Sequence, residues 1–211
     1  MFTQRKALTA LLSILACFGS QTSAHSPSIT PQETPDEASS SAAADYRVLA
    51  TKKTSTMEKE LNEAGDAGYK FLAVMGGETG FGGSEVVVIM VKPAGAPEDA
   101  RFQYKLLATN KTSTMQKELQ EAADAGFEYR GQTVFSSTFG GKEVVIIGER
   151  TVGATPKMRE FKLLATNKTS TMQKELQEAA VGGFEVVGLT VSTTAFGGSE
   201  IVTVLRRDRS Q

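Results

Sequence analysis

One stretch of the sequence occurs three times. Residues 105–123 read KLLATNKTSTMQKELQEAA, and residues 162–180 repeat them without a change. A looser copy, RVLATKKTSTMEKELNEAG, occupies residues 47–65. Corresponding residues are 58 and then 57 positions apart, and this regular spacing indicates a repeat architecture rather than one irregular domain. One unit of this length is too small to build a robust core alone. We therefore expect three copies of one unit that share a core.

Each copy has the pattern of a strand, a helix and two more strands. Short mixed runs at residues 46–51, 104–109 and 161–166 predict the first strand. In the second copy, Met115, Leu119 and Ala122 then form an apolar stripe with helical spacing. A glycine follows each helix at the position where a left-handed residue ends a helix. These glycines are Gly68, Gly126 and Gly183.

The start of each predicted helix has the spacing of a capping box. Ser113 stands three residues before Gln116, so each side chain could bond a free backbone N–H at the helix start. The other copies have the same spacing, with Ser55 before Glu58 and Ser170 before Gln173. A serine cap is therefore predicted for all three helices.

The third strands are apolar at nearly every position. They begin at Glu85, Glu143 and Glu200, and the second reads EVVIIGER. A strand of this kind needs cover on both faces. The helix of its own unit covers one face, so a sister unit must cover the other. The sequence thus predicts an α+β fold of three tandem βαββ repeats, packed as one pseudo-threefold body with sheets inside and helices outside.

The N-terminus has the anatomy of an export signal. Arg5 and Lys6 precede a short apolar run, and small residues end at Ala24, which gives a signal peptide at residues 1–24. An alternative is a lipoprotein signal with Cys17 as the acylated residue. Residues 25–45 are polar and proline-bearing, which predicts a disordered tether. The repeats then occupy residues 46–92, 104–150 and 161–207. Accordingly we expect an exported protein, periplasmic or secreted, that touches a membrane only if Cys17 is lipidated.

Composition excludes several classes of function. Without residues 1–24 the chain has no cysteine, and its single histidine, His25, lies at the expected cleavage point. Cysteine and histidine catalysis and ordinary zinc sites are therefore excluded. Removal of Arg5 and Lys6 leaves 21 basic residues against 24 acidic ones, with no basic stripe to bind nucleic acid. We expect no catalytic residues, no metal site and no cofactor.

The order of motifs resembles a family of small uncharacterised bacterial βαββ domains, a domain of unknown function. Such domains typically have Gly-Trp-Glu after the helix. This chain has Gly-Tyr-Lys at residues 68–70 and Gly-Phe-Glu at residues 126–128 and 183–185, and it contains no tryptophan. The resemblance covers the three repeats. It implies the βαββ fold and brings no established activity with it.

A lysine stands just before each predicted helix, at Lys53, Lys111 and Lys168. A lysine beside the free amides of a helix start could bind an anion. The neighbouring hydroxyl residues are also explained by capping alone. Both interpretations stay open at this point.

A phenylalanine precedes a Gly-Gly pair before each third strand, at Phe81, Phe139 and Phe196. Two glycines suit a tight hairpin turn, which does not itself require an aromatic residue. The phenylalanine either folds back onto the core or stands out as a binding anchor. The glutamates that follow, Glu85, Glu143 and Glu200, could pair with lysines or form a carboxylate ring for a cation.

These observations favour an exported, non-catalytic repeat protein that binds an unknown protein or small ligand of the cell envelope. The contact surface would be its loops or a sheet edge. The alternative is an exported enzyme or enzyme inhibitor built on the same scaffold.

Replacement of Phe81, Phe139 and Phe196 by alanine separates the two interpretations of the turns. If the rings are anchors, the melting temperature stays nearly unchanged while capture of a partner from a cell-envelope extract is lost. If they are packed, each substitution costs roughly 3 to 5 kcal/mol of unfolding free energy, because truncating a buried phenylalanine leaves a cavity. Thermal unfolding and pull-down of the single and triple variants measure both.

Overall fold

The structure is a computed structural model that describes residues 43–78, 84–109, 111–136, 142–193 and 198–209. They form three equivalent βαββ units within one compact body, Ser40–Gln211, so the predicted α+β fold of three tandem repeats is confirmed. Unit 1 contains β1 (Asp45–Thr51), α1 (Thr54–Asp66), β2 (Lys70–Glu78) and β3 (Ser84–Lys92). Unit 2 contains β4 (Phe102–Thr109), α2 (Thr112–Asp124), β5 (Glu128–Ser136) and β6 (Lys142–Thr151). Unit 3 contains β7 (Arg159–Thr166), α3 (Thr169–Val181), β8 (Glu185–Thr193) and β9 (Ser199–Asp208).

The third strand of each unit lies at the centre of a three-stranded sheet. The strand orders are β1-β3-β2 in sheet 1, β4-β6-β5 in sheet 2 and β7-β9-β8 in sheet 3, and all neighbouring strands are antiparallel. This position explains why the third strands are apolar on both faces. In β6, every residue from 144 to 149 is buried.

Each of the first two helices lies between two sheets. Met57 and Leu61 of α1 share one core cluster with Val88 of sheet 1 and with Tyr104 and Ile147 of sheet 2. In the same way, α2 contributes Met115 and Leu119 to a second cluster. That cluster holds Ile146 of sheet 2 together with Phe161 and Val204 of sheet 3. The layers therefore run sheet 1, α1, sheet 2, α2, sheet 3, α3.

This packing differs from the expected pseudo-threefold body with its helices outside. In the described part of the chain, the two shared clusters join only consecutive units, and the third cluster belongs to unit 3 alone. The physical reason is that α1 and α2 each contact two sheets: the apolar stripe of the helix packs in the shared cluster, and polar side chains beside the stripe bind the edge of the following sheet. A sheet that needs cover on its outer face is satisfied by the helix of the preceding unit, so the units form a row rather than a ring.

The helix ends match the sequence only in part. Gly68, Gly126 and Gly183 have positive φ angles of 87°, 86° and 79°, as predicted for residues that end a helix.

The predicted capping boxes are wrong. Lys53, Lys111 and Lys168 occupy the capping position with extended backbone and no side-chain cap, and their N–H groups donate to Thr51, Thr109 and Thr166. The Gln116 side chain instead turns toward unit 3.

In the part of the chain that the structure describes, no helix is long and apolar enough to cross a membrane.

Unit 2 alone, residues 99–150, should not be a stable monomer. Its outer sheet face would expose Tyr104, Val145 and Ile147, all buried in the whole chain. We expect this fragment to lack a cooperative thermal transition or to self-associate. Calorimetry and sedimentation of the fragment measure this, and a monomer with a sharp transition would contradict the shared core.

Candidate interaction surfaces

Side chains of α1 take the place of a neighbouring strand at the edge of sheet 2. Asn62 accepts a hydrogen bond from the Tyr104 N–H at 2.9 Å and donates one to the Tyr104 carbonyl at 3.0 Å. Glu58 accepts from the Leu106 N–H at 2.9 Å. These backbone groups lie on the side of β4 that faces away from β6. An edge strand with free backbone groups is a template for pairing, and here the preceding helix occupies it.

The same contact recurs between unit 2 and unit 3. Gln116 accepts from the Leu163 N–H at 2.7 Å and donates to the Phe161 carbonyl at 2.9 Å. Gln120 accepts from the Phe161 N–H at 3.0 Å and donates to the Arg159 carbonyl at 3.1 Å. A glutamine both donates and accepts, so this pair covers more of the edge than Glu58 and Asn62 do.

At the other edge of the sheets, the second strands of consecutive units meet directly: β2 contacts β5, and β5 contacts β8. The Phe71 ring of β2 lies over Gly131 of β5, where a Cβ atom would be 2.9 Å from the ring. One unit further along, the Tyr129 ring contacts Gly188 of β8 so closely that no Cβ would fit. An aromatic ring packed on a glycine of the next unit therefore forms the second part of each interface, beside the contact between helix and strand edge.

A buried carboxylate lies in the interface between units 1 and 2. Glu149 is 2% exposed and accepts from the Phe71 N–H at 2.9 Å and the Tyr104 hydroxyl at 2.7 Å. Its other oxygen accepts from Arg130 at 3.0 and 2.9 Å. Burial and the neighbouring Glu149 charge raise the pKa of Tyr104 well above its ordinary value, so this hydroxyl stays a donor. Both oxygens of Glu149 are thus bound by protein groups, and these bonds join units 1 and 2.

Both ends of the row expose the surfaces that the inner interfaces bury. The outer face of sheet 1, which we call the sheet end, carries the exposed residues Tyr46, Val48, Leu72, Met75 and Ile89. The outer face of unit 3, which we call the helix end, carries Val181, Val186, Leu189 and Val191. Among the described residues, the other large exposed apolar side chains are Val152 and Met158 in a linker. The large exposed apolar side chains of the described residues are therefore concentrated at the two ends of the row.

Equivalent residues show how strongly the ends differ from the middle. Tyr46 is 60% exposed, whereas its counterparts Tyr104 and Phe161 are each 3% exposed. Gln173 and Gln177 of α3 correspond to Gln116 and Gln120 of α2, and both are exposed. The difference lies in position along the row, since the helices themselves have nearly the same sequence.

A groove of about 760 Å³ lies beside the end of α3 and is rich in arginine. Its arginines already have partners. Arg206 bonds Glu185 at 2.6 Å, an interaction that lowers the pKa of that carboxyl group, and Arg207 bonds Glu160 at 2.7 Å. Arg207 also donates to the Gly182 carbonyl at the helix end and stacks over the Phe184 ring. Arg150 makes the same pair of contacts with Ala125 and Phe127 in unit 2. In each of these two units the arginine therefore caps the C-terminal end of a helix. Its stacking on the aromatic ring accounts for the aromatic residue that follows the glycine in the motif.

The structure bears differently on the three sets of site residues that the sequence predicted. Lys53, Lys111 and Lys168 are exposed at the three helix starts, and anion binding there stays a prediction. Phe81, Phe139 and Phe196 lie outside the described residues. Within those residues, no group of three or more His, Cys, Asp or Glu side chains could hold a metal, so Glu85, Glu143 and Glu200 form no carboxylate ring.

Sequence reasoning did not identify the end faces as sites. A signal was available, since Val48, Leu106 and Leu163 are equivalent and apolar, and a repeat unit with its predicted helix stands before Leu106 and Leu163 but not within residues 1–45.

No family model, curated protein or solved structure matches the chain. The likeness to the βαββ domain family remains a resemblance of short motifs.

Replacement of Gln116 by alanine tests the helix-to-edge contact. The Leu163 N–H and the Phe161 carbonyl would lose their partners, and we expect a loss of about 1 to 3 kcal/mol in unfolding free energy. Gln173→Ala is the matched control, because it removes the equivalent exposed side chain and should change stability by less than about 0.5 kcal/mol. Chemical denaturation of both variants at low protein concentration measures the difference, and equal losses would contradict the contact.

Proposed function

We propose that this protein is an exported, non-catalytic repeat protein that acts as a binding module of the cell envelope. Its contact surfaces are the sheet end and the helix end. Export rests on the signal-like residues 1–24, and the polar residues 25–45 would hold the folded body away from the membrane if Cys17 carries a lipid.

The exposure of interface residues at both ends carries this proposal. Contiguous apolar surface in solvent is costly, and where a folded protein keeps it, the patch commonly binds another molecule. Terminal units of a repeat protein usually have polar outer faces, which keep the row soluble. Here the outermost helix has Val181, 92% exposed, where α1 and α2 have Asp66 and Asp124. Apolar end faces of this kind favour a binding role over the solubilising role of a polar terminal unit.

The interior supports a binding role rather than a chemical one. Glu149 is the most deeply buried carboxylate in the described residues, and protein donors bind both of its oxygens. The arginines of the groove beside the end of α3 bond carboxylates of this chain. These charged groups are committed to holding units and helix ends together.

Site-specific photocrosslinking in the producing cell tests the proposal. A photoreactive amino acid replaces Val48 on the sheet end or Leu189 on the helix end of the full chain. We expect covalent adducts from at least one of these positions, because a bound partner would lie within reach of the probe. Electrophoresis and mass spectrometry of the envelope fraction detect them.

The matched control carries the probe at Val152, an exposed apolar residue in the linker between units 2 and 3. This position should give only background labelling. Labelling at Val152 equal to that at both ends, or no adduct at either end, would refute binding through the end faces.

A further inference from the structure

We infer that the partner of each end is a second copy of this chain, with the helix end of one molecule docked on the sheet end of the next. This inference rests on the proposed function and names its partner. The row of alternating sheets and helices would then continue from one molecule into another through the interface that already occurs twice within the chain.

The helix end retains the surface that binds a following sheet. Residues 169–180 of α3 are identical to residues 112–123 of α2. Gln116 and Gln120 of α2 make four hydrogen bonds to the edge of β7. Gln173 and Gln177 stand at the same helical positions, four residues apart on one face, and are exposed. The donors and acceptors needed to bind another first strand are therefore present.

The sheet end offers the matching edge. In β4 and β7 the groups bound by the preceding helix are backbone N–H and carbonyl groups, at Tyr104, Leu106, Phe161 and Leu163. The equivalent groups of β1 belong to Tyr46 and Val48. The β1–β3 ladder pairs Val48 with Ile89 in the register that pairs Leu106 with Ile147. The same backbone groups of β1 thus point away from β3, and their recognition does not depend on side-chain identity.

The second half of the interface also fits in size. Within the chain, the aromatic residues Phe71 and Tyr129 are received by Gly131 and Gly188. At the ends, the corresponding residues are Val186 on the helix end and Ala73 on the sheet end. A smaller projecting side chain would meet a residue that has a Cβ atom. The two changes offset each other, so the strands could approach without a clash.

Charge presents no obstacle to this docking. The face of sheet 2 that packs against unit 1 carries the Arg130–Glu149 pair, in which Glu149 is buried, whereas the same positions on the sheet end are Leu72 and Val91. On the helix end, Val181 replaces the aspartate of the other helices; Asp124 of α2 bonds Arg209 of unit 3, and the residue of unit 1 that corresponds to Arg209 is Ala94. Apolar residues would meet apolar residues, and no charge would be buried without a partner.

This arrangement uses two different surfaces of each molecule. Such a heterologous contact gives a ring if the rotation between molecules closes, and an open fibre if it does not. An open row grows by addition at both of its ends until a ring closes, and a molecule that is blocked at one end stops growth at that end.

Three double variants of the full chain test the inference, each replacing two exposed apolar residues by lysine. Val48→Lys with Met75→Lys blocks the sheet end, and Leu189→Lys with Val191→Lys blocks the helix end. The matched control is Val152→Lys with Met158→Lys, away from both ends. Melting temperatures of all three should stay close to that of the unmodified chain, since exposed substitutions change stability little.

Sedimentation velocity over about a hundredfold range of concentration measures assembly, which follows mass action. We expect the unmodified chain and the control to form oligomers whose size increases with concentration. Each end-blocked variant should associate at least about tenfold more weakly, because a lysine would be buried in an apolar contact. An equal mixture of the two blocked variants should form a one-to-one dimer that does not grow, since one intact pair of ends remains.

A chain that stays monomeric throughout would overturn the inference. If deletion of residues 25–42 then allowed association, the chain's own tether would be the occupant of an end. If the mixture fails to dimerise while the unmodified chain assembles, the molecules associate through a contact other than the proposed head-to-tail one. If the chain is monomeric and photocrosslinking gives adducts with a different protein, the proposed binding function is supported. Only the identification of the partner as a second copy is then wrong.

Discussion

The fold depends on a helix that must serve two sheets at once. A three-stranded sheet with an apolar central strand needs cover on both faces, and one unit supplies a single helix. Met57 and Leu61 of α1 meet sheet 1 and sheet 2 in the same cluster, so unit 1 and unit 2 share a helix between them. The next helix repeats the arrangement with sheet 3. A different surface is left uncovered at each end of the row, because among the described residues no helix covers the outer face of sheet 1 and no second sheet covers α3.

The local structure followed from sequence because its causes are local. Helical spacing, glycines that need a positive φ angle and continuous apolar strands predicted the βαββ order. The direction of packing was not predictable in the same way. Met115 and Leu119 look the same in sequence whether their helix covers one sheet or lies between two. The capping boxes failed because Lys53, Lys111 and Lys168 hold the extended backbone of the capping position, which places Ser55, Ser113 and Ser170 within the first helical turn.

The differences among the copies identify what each interface requires. Between units 1 and 2, Glu58 cannot donate, and Asn62 therefore serves both the N–H and the carbonyl of Tyr104. That interface also holds the Glu149 cluster, in which Phe71 of unit 1 supplies a backbone N–H. The counterparts of Glu149 are Val91 and Arg206, so the cluster occurs once. The interface between units 1 and 2 must therefore supply hydrogen-bond donors to a buried carboxylate, whereas the apolar sheet end has no such group. This difference favours the pairing of unit 1 with unit 2 within one chain.

The helices α2 and α3 act as an internal comparison of environment at fixed sequence. Met115 and Leu119 of α2 are almost fully buried, whereas on α3 Leu176, the counterpart of Leu119, remains partly accessible. The two glutamines differ in the same direction, bonded on α2 and exposed on α3. Since side chains and backbone are equivalent, the extra burial on α2 must come from sheet 3. The exposed surface of α3 therefore has the shape and chemistry of a surface that is known, from this same molecule, to bind the edge and face of a βαββ sheet.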